Sequence, residues 1–227
     1  MKAMILAAGR GERLRPLTDD LPKALVEAGG KPLLAWHLER LATSGCREAV
    51  INVSHLAERI VERIGDGARY GLRIAYSREP QPLETAGGLA QARALLGDEP
   101  FLLVNSDVYC EVDFEKLSKH SLASRLGHLV LVPNPPHRPA GDFTLDDGFI
   151  GNGPGQRYTY AGVAVMSPAL FARVKPGERA PLAPLLRAAA ELRRLSGEVF
   201  TGLWQDVGSA ERLAELKARL ASRNETD

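Results

Sequence analysis

Short apolar runs alternate with helix-period segments along the whole chain, and this alternation limits the fold more than any other feature. Residues 2–8 form an apolar run that ends at Gly9, the pattern of a strand buried on both faces. Leu34, Leu38 and Leu41 follow Pro32 at helical spacing, and Gly45 ends the run. Residues 48–53 read as a strand. Ser54 is expected to cap a helix that carries Leu56, Ile60 and Ile64 on one face and stops at Gly65. Residues 72–77 read as a strand, 87–96 as a helix, and Phe101-Leu102-Leu103-Val104 as another buried strand. A helix is expected near 113–122, strands at 128–132 and 157–166, and helices at 168–174 and 182–193, the former opened by Ser167-Pro168. A strand or hairpin near 194–204 leads to a last helix, capped by Ser209 and carrying Leu213, Leu216 and Leu220. Strand–helix–strand order predicts an α/β fold with a mostly parallel, mixed sheet and helices on both faces. Residues 133–155 are the least regular stretch, with a hairpin turn signalled at Asp146-Asp147-Gly148. An insertion of that kind is a place to build a sugar-sized pocket.

Composition narrows the partners. The chain has 227 residues, 44% hydrophobic and 25% charged, which supports a full globular core and excludes a disordered chain. Lys+Arg 29 against Asp+Glu 28 leaves +1, so no global field draws it to nucleic acid or membrane. Any anion site is then a local cluster. Cys46 and Cys110 are the only cysteines, which points to a reducing, cytoplasmic setting rather than a disulfide framework. The N-terminal apolar run stops too soon for a secretion signal, and no stretch approaches the ~18 apolar residues of a membrane span.

The first strand delivers the chain into Gly9-Arg10-Gly11-Glu12-Arg13-Leu14-Arg15-Pro16-Leu17-Thr18. Glycines permit turns that aim successive backbone N–H groups at an anion. Arg13 and Arg15 add forked donors suited to phosphate, and Lys23 adds a point charge. A dinucleotide fingerprint would need glycine where Leu14 stands, and a Walker loop would need Ser or Thr where Pro32 stands. The loop is therefore a phosphate loop of another kind, or else a solvated turn. Its place at the carboxyl end of the first strand favours the ligand reading.

Asp107 and Asp206 each follow an apolar segment. A carboxylate at the end of a buried strand is costly unless paired or metal-bound. Two such carboxylates beside a phosphate loop suit Mg²⁺, provided the sheet order brings them together; each alone is as readily a helix cap. Leu83-Glu84-Thr85-Ala86-Gly87-Gly88-Leu89 offers small residues against which a flat base can lie, and equally reads as a plain helix start. The five histidines show no ligand spacing, and no nucleophile elbow is present. His37 reads as a packed or half-exposed helix residue. Tyr158 and Tyr160 are expected to pack in the core rather than stack on a sugar.

Leu6-Ala7-Ala8-Gly9-x-Gly11-x-Arg13-Leu14-x-Pro16-Leu17-Thr18 followed by Pro22-Lys23 closely resembles the signature of the sugar-1-phosphate nucleotidyltransferases. The resemblance continues through Pro82-Leu83-Glu84-Thr85, Gly87-Gly88, Val104-Asn105-Ser106-Asp107-Val108, Tyr160-Ala161-Gly162-Val163 and Asp206-Val207-Gly208. It is greatest to the short members that uridylylate N-acetylmuramate 1-phosphate in bacterial cell-wall recycling. What it implies is one Rossmann-like nucleotidyltransferase domain over 1–227, with nucleotide bound mainly by 1–110 and sugar phosphate mainly by 111–227. Arg13 and Lys23 would be catalytic, at the leaving phosphates and the α-phosphate. Leu6, Ala8, Gly9, Gly11, Glu79, Glu84 and Gly88 would line the nucleoside triphosphate, Asn105 and Gly162 the sugar phosphate. Asp107 and Asp206 would hold Mg²⁺. The chain departs from the family pattern at Ala24, where proline is usual, and at Ala86, where the nearest group has glycine. It lacks a mid-chain Glu-Lys-Pro, so sugar-phosphate binding is expected to rest on other groups, and it lacks hexapeptide repeats, so a monomer or weak dimer is expected. Guanylyl transfer to mannose 1-phosphate, thymidylyl transfer to glucose 1-phosphate and a non-catalytic nucleotide-binding subunit are the alternatives.

Overall fold

The computed structural model describes residues 1–224. Its first half runs β1 (Ala3–Leu6), β2 (Glu27–Ala28), β3 (Lys31–Pro32), α1 (Leu33–Thr43), β4 (Glu48–Val53), α2 (Ala57–Ile64), β5 (Arg73–Arg78), α3 (Glu84–Gln91), α4 (Arg93–Leu96) and β6 (Phe101–Asn105). The second half adds β7 (Val108–Cys110), α5 (Phe114–Ser118), β8 (Gly127–Val132), β9 (Phe143–Asp146), β10 (Phe149–Gly151), β11 (Arg157–Met166), α6 (Leu182–Glu191), β12 (Leu195–Val199), β13 (Trp204–Asp206) and α7 (Ala210–Asn224).

Among the described residues the main sheet has nine strands in the order β5-β4-β1-β6-β11-β8-β12-β10-β9. The fold is the expected α/β sheet, and its parallel character lies in two places. β5, β4, β1 and β6 are mutually parallel, as are β8 and β12. β11 runs antiparallel between β6 and β8, and the β9–β10 hairpin turns back onto the start of β11. β1 shows why its strand reads as a continuous apolar run. Ala3 and Ile5 join one core with Leu34, Leu38 and Leu41 of α1 and Ile60 and Ile64 of α2. Met4 joins the core on the other face with Leu89 of α3 and Leu186 of α6. Both faces are covered, as a parallel sheet requires. A third cluster packs Leu213, Leu216 and Leu220 of α7 against Leu14, Leu33 and Val207, which ties the glycine loop to the end of the chain.

The order of the first four sheet strands creates the site. The chain leaves β1 for β4 on one side and returns from β5 to β6 on the other. Ligands of open α/β sheets bind in the crevice at the carboxyl ends of such a strand pair.

Element ends differ from the expectations where local geometry wins. Ser54 does not cap α2, because Leu56 takes a left-handed conformation (φ 54) and the helix starts at Ala57. The 87–96 helix begins earlier, at Glu84, and breaks between α3 and α4 at Ala92. The 113–122 helix shortens to Phe114–Ser118 behind an Asp113 cap, and 168–174 shortens to a 3-10 turn capped by Ser167. The 194–204 stretch resolves into β12 and β13, and β13 pairs with β7 in a separate ribbon. Asp147 and Gly148 (φ 45 and 74) form the expected hairpin turn. Tyr158 and Tyr160 pack against the second core cluster. Cys46 and Cys110 are buried and unpaired. Among the described residues no helix is long and apolar enough to cross a membrane.

His37 of α1 is fully packed and lies 2.7 Å from the Val108 carbonyl, directly after Asp107. Burial pushes its pKa down from 6.5 to about 4, despite the raising effect of that carbonyl. Above pH 6.5 folded and unfolded chains both hold neutral imidazole. Between pH 6.5 and 4 only the unfolded chain takes up the proton, so stability falls by up to about 1.4 kcal/mol per pH unit from this residue. His128, buried beside His120, is shifted in the same direction. Urea midpoints are expected to be flat above pH 7 and to drop below pH 6.5, with a shallower drop in His37→Gln. A midpoint that stays flat down to pH 5 in the unmodified protein contradicts this account.

Candidate active site

A cavity of about 850 Å³ opens at the carboxyl ends of β1 and β6. Leu6, Ala8, Gly9, Gly11 and Arg13 line it from the first strand and its loop. Lys23, Glu79, Glu84, Asn105 and Asp107 line it from elsewhere. Three expected residues stand outside this lining. Gly88 lies behind Glu79 and Gly162 behind Asn105, while Asp206 lines a second cavity.

The loop is built to present amides. Gly11 (φ +68) is left-handed, and its carbonyl accepts from the Leu14 N–H and the Thr18 hydroxyl, both at 2.8 Å. A Cβ at Gly11 would stand 3.0 Å from Thr18 and 3.1 Å from Lys23, so glycine lets the loop close onto both. Among the described residues the N–H groups from Ala8 to Arg13 donate to no protein acceptor. A run of free amides at a strand end is a nest for phosphate oxygens.

Lys23 crosses to Asp107, with Nζ 2.5 Å from Oδ2. The lysine side chain is 11% exposed and the carboxylate 38%. The strand-end carboxylate thus has the partner that its position demands. Asp206 is brought beside Asp107 by backbone, although it lines the second cavity. It pairs with Val108 in the β7–β13 ribbon, and the Val207 N–H donates to the Asp107 carbonyl at 2.8 Å. Its carboxylate lies 3.4 Å from Arg212 and 3.2 Å from His137, yet Oδ1 is buried without a formed hydrogen bond. Among the described residues no cluster of three or more His, Cys, Asp or Glu is arranged for a metal, so any ion here rests on fewer carboxylates.

A buried relay holds the far wall. Asn52 at the end of β4 accepts from the Ala7 N–H at 2.8 Å and donates to Glu79 at 2.6 Å. Glu79, buried just after β5, accepts from the Leu83 N–H at 2.9 Å with its other oxygen. The ends of β1, β4 and β5 and the start of α3 are thereby fixed to one another. On the opposite side Gly162 (φ +75) lies against Asn105; a Cβ there would stand 2.6 Å from the amide nitrogen. Glu84 (φ 60) pairs with Arg179 at 2.8 Å across the cavity mouth.

The pattern of the nucleotidyl transferase family matches residues 2–145. The chain belongs to this family. It is 50% identical over 226 residues to the N-acetylmuramate alpha-1-phosphate uridylyltransferase of Neisseria meningitidis serogroup B, covering 96% of this chain and 97% of that one. It is 35% identical over 220 residues to the mannose-1-phosphate guanylyltransferase catalytic subunit beta of Danio rerio, covering 92% of this chain and 61% of that one. Both relatives are sugar-1-phosphate nucleotidyltransferases. In fold it superposes on a Bacillus anthracis protein assigned as a glucose-1-phosphate thymidylyltransferase and solved with sucrose. The TM-score is 0.86 at 18% identity, covering 97% of this chain and 95% of that one. HddC from Yersinia pseudotuberculosis, solved with GMP-PN, gives 0.75 at 22% identity, covering 96% and 98%.

Asn52, Arg179, Arg212 and His137 were not singled out as site residues from sequence. Asn52 left one signal, a polar residue inside the buried run 48–53. The other three sit in unremarkable charged or irregular segments and gain significance only from their neighbours in space.

Gly9, in the cavity lining, and Gly88, behind its wall, should separate ligand contact from packing. A Cβ at Gly88 would stand 2.6 Å from Glu79 and 2.8 Å from Asn52, whereas at Gly9 it meets nothing within 4 Å. Gly88→Ala is expected to cost about 1–3 kcal/mol by overpacking the relay. Gly9→Ala is expected to leave the thermal midpoint in place and weaken nucleotide binding. Equal stability of the two variants would show that the relay yields freely.

Proposed function

We propose that this chain transfers the uridylyl group of UTP to N-acetylmuramate 1-phosphate, giving a UDP-sugar and pyrophosphate. The observation that carries the reaction type is the run of free amides from Ala8 to Arg13 beside the Lys23–Asp107 pair. The choice of substrates is supported by the 50% identity to the Neisseria uridylyltransferase over nearly the full length of both chains.

An oxygen of the sugar phosphate attacks the α-phosphorus of UTP. The bond from that phosphorus to the bridging oxygen breaks, and pyrophosphate leaves with the electron pair. The nucleophile is already an anion, so the tasks of the protein are alignment and charge neutralisation. The loop amides and Arg13 would hold the leaving phosphates. Lys23, already at the strand end, would neutralise the α-phosphate as it becomes five-coordinate. Leu6, Gly11, Glu84 and the wall built by Glu79 and Gly88 would seat the nucleoside; Asn105, backed by Gly162, would face the sugar phosphate. Asp107 and Asp206 suit a divalent cation, Mg²⁺ in this reading. Both are hard oxygen donors, Asp206 on the β7–β13 ribbon and Asp107 directly before it, and the Asp206 Oδ1 is a buried oxygen with no hydrogen bond. Such an ion would supply Lewis-acid polarisation and a template for phosphate oxygens. The same reading puts nucleotide mainly in 1–110 and sugar phosphate mainly in 111–227. It puts the enzyme in the cytoplasm as a monomer or weak dimer.

The test is Mg²⁺-dependent pyrophosphate release over a grid of nucleoside triphosphates and sugar 1-phosphates. Preference for UTP with N-acetylmuramate 1-phosphate is expected. Strong turnover of GTP with mannose 1-phosphate would instead align the chain with its guanylyltransferase relatives. Nucleotide binding without turnover anywhere on the grid would make it a non-catalytic subunit. Lys23→Ala is expected to lower kcat on the order of 10²–10³-fold, the usual loss for one transition-state donor; near-normal turnover would remove it from catalysis. Asp107→Asn is expected to abolish the response to added Mg²⁺, and an unchanged metal titration would sink the ligand assignment.

A further inference from the structure

Glu79 is a carboxylate buried without a counter-charge. Among the described residues it pairs with no Lys, Arg or His, and its partners are neutral donors, the Asn52 amide and the Leu83 N–H. A buried acid held in this way depends on each donor, because losing one leaves charge without solvation. Only the Asn52 bond comes from a side chain. The inside of β4 is an unusual place for such a group. The strand is otherwise apolar from Ala49 to Val53, and Val50, on the same face as Asn52, lies in the second core cluster. A leucine or valine would pack there and need no partners. What sets the amide apart is therefore what it bonds.

Its two ends reach two parts of the first cavity. The carbonyl oxygen accepts from the Ala7 N–H, the last amide before the open run from Ala8 to Arg13. The nitrogen donates to Glu79, whose own N–H is anchored on the Val53 carbonyl at 2.8 Å. The amides of the loop and the Glu79 wall are thus joined through one short, planar side chain. Neither part needs Asn52 for its own shape. The loop closes on itself through Gly11, Leu14 and Thr18, and Glu79 is tied to the start of α3 by Leu83. The contribution of Asn52 is the span from one to the other.

We infer that Asn52 is a positioning residue that sets the distance between the base wall and the phosphate loop, so that a nucleoside triphosphate is gripped at both ends at once. This rests on the function proposed above, in which Glu79 and Gly88 seat the nucleoside and the loop amides hold phosphates. Two linked grips make the second contact intramolecular, and that gain is lost when their spacing is not fixed. A ligand with only the phosphate end gains nothing from the span. Asn52 therefore matters for UTP and not for inorganic tripolyphosphate.

Calorimetric titration of the full chain with these two ligands, at one Mg²⁺ concentration, tests the assignment. Asn52→Leu keeps the size of the side chain and removes both bonds. It is expected to weaken UTP about 10–100-fold, the range for a charged acceptor that loses its donor, and to leave tripolyphosphate within about threefold. Parallel losses for the two ligands, or an unchanged UTP affinity, overturn the assignment. Asn52→Asp keeps the acceptor for Ala7 and decides the matter if the leucine variant does not fold. Two facing carboxylates share one proton, which replaces the missing donor until rising pH removes it. The charged groups of the glycine loop, with Lys23, Glu84, Asp107 and Arg179, line the same cavity, so each affinity is taken relative to the unmodified chain at the same pH. Between about pH 6 and about pH 9 the UTP ratio of this variant is expected to fall about tenfold or more while the tripolyphosphate ratio stays level. A level UTP ratio overturns the assignment. An unmodified chain that prefers another nucleotide changes the substrate alone, and the same comparison is then made with that nucleotide. An unmodified chain that binds no nucleotide ends the functional reading and the role of Asn52 together.

Discussion

The Lys23–Asp107 pair is the contact on which the site depends. Asp107 follows β6 because the crevice between β1 and β6 is where a parallel sheet can present a carboxylate to a ligand. Such a group needs a counter-charge, and Lys23 supplies it from the far end of the glycine loop. The loop must then leave β1, close on itself at Gly11 and return to β6. Thr18 and the left-handed Gly11 set that return path. The amides from Ala8 to Arg13 are left over by this geometry, since the chain that could have accepted from them has turned away. A run of open amides thus arises from satisfying one strand-end carboxylate.

The same logic explains why the last helix packs on the glycine loop. Leu14 of the glycine loop packs with Val207 and with Leu213 and Leu216 of α7. This apolar cluster brings Asp206 to the ribbon beside Asp107 and sets Arg13 against Gly208. The polar geometry is a consequence of apolar packing, which is non-directional but large. His37 adds a second tie, from α1 to the Val108 carbonyl one residue beyond Asp107.

Much of this was legible in the sequence. Apolar runs located β1, β4, β6 and β11 closely because strands buried on both faces leave little freedom in composition. The glycine loop and Asp107, which line one cavity, were legible together because flexible backbone and charge at a strand end have few structural uses. Helix starts were less legible. Ser54 has the chemistry of a cap, yet the left-handed Leu56 moves the start of α2. Nor could spacing show the Asn52–Glu79 relay, since it joins residues 27 apart in the chain. His137 showed no ligand spacing, and its place beside Asp206 is created by the irregular 133–137 stretch and the ribbon together. Pattern reading finds what one element must do and misses what several elements do jointly.

That division bears on how freely each cavity can change. The first cavity is built from β1, β6 and a loop whose closure is fixed by Lys23 and Gly11, so most substitutions there disturb charge balance or backbone geometry. The second is built from an irregular stretch, a ribbon end and the exposed face of α7, none of which carries the parallel sheet. Side chains such as Thr201 and Arg219 can change without loss to the core, because both are exposed. The lining of the first cavity is therefore constrained by the packing of the sheet, while that of the second is free to vary at its edge. At Gly208 an arginine from each cavity comes within 3.3 Å of where a Cβ would stand, so any side chain there would displace the Arg212 guanidinium that shares this space.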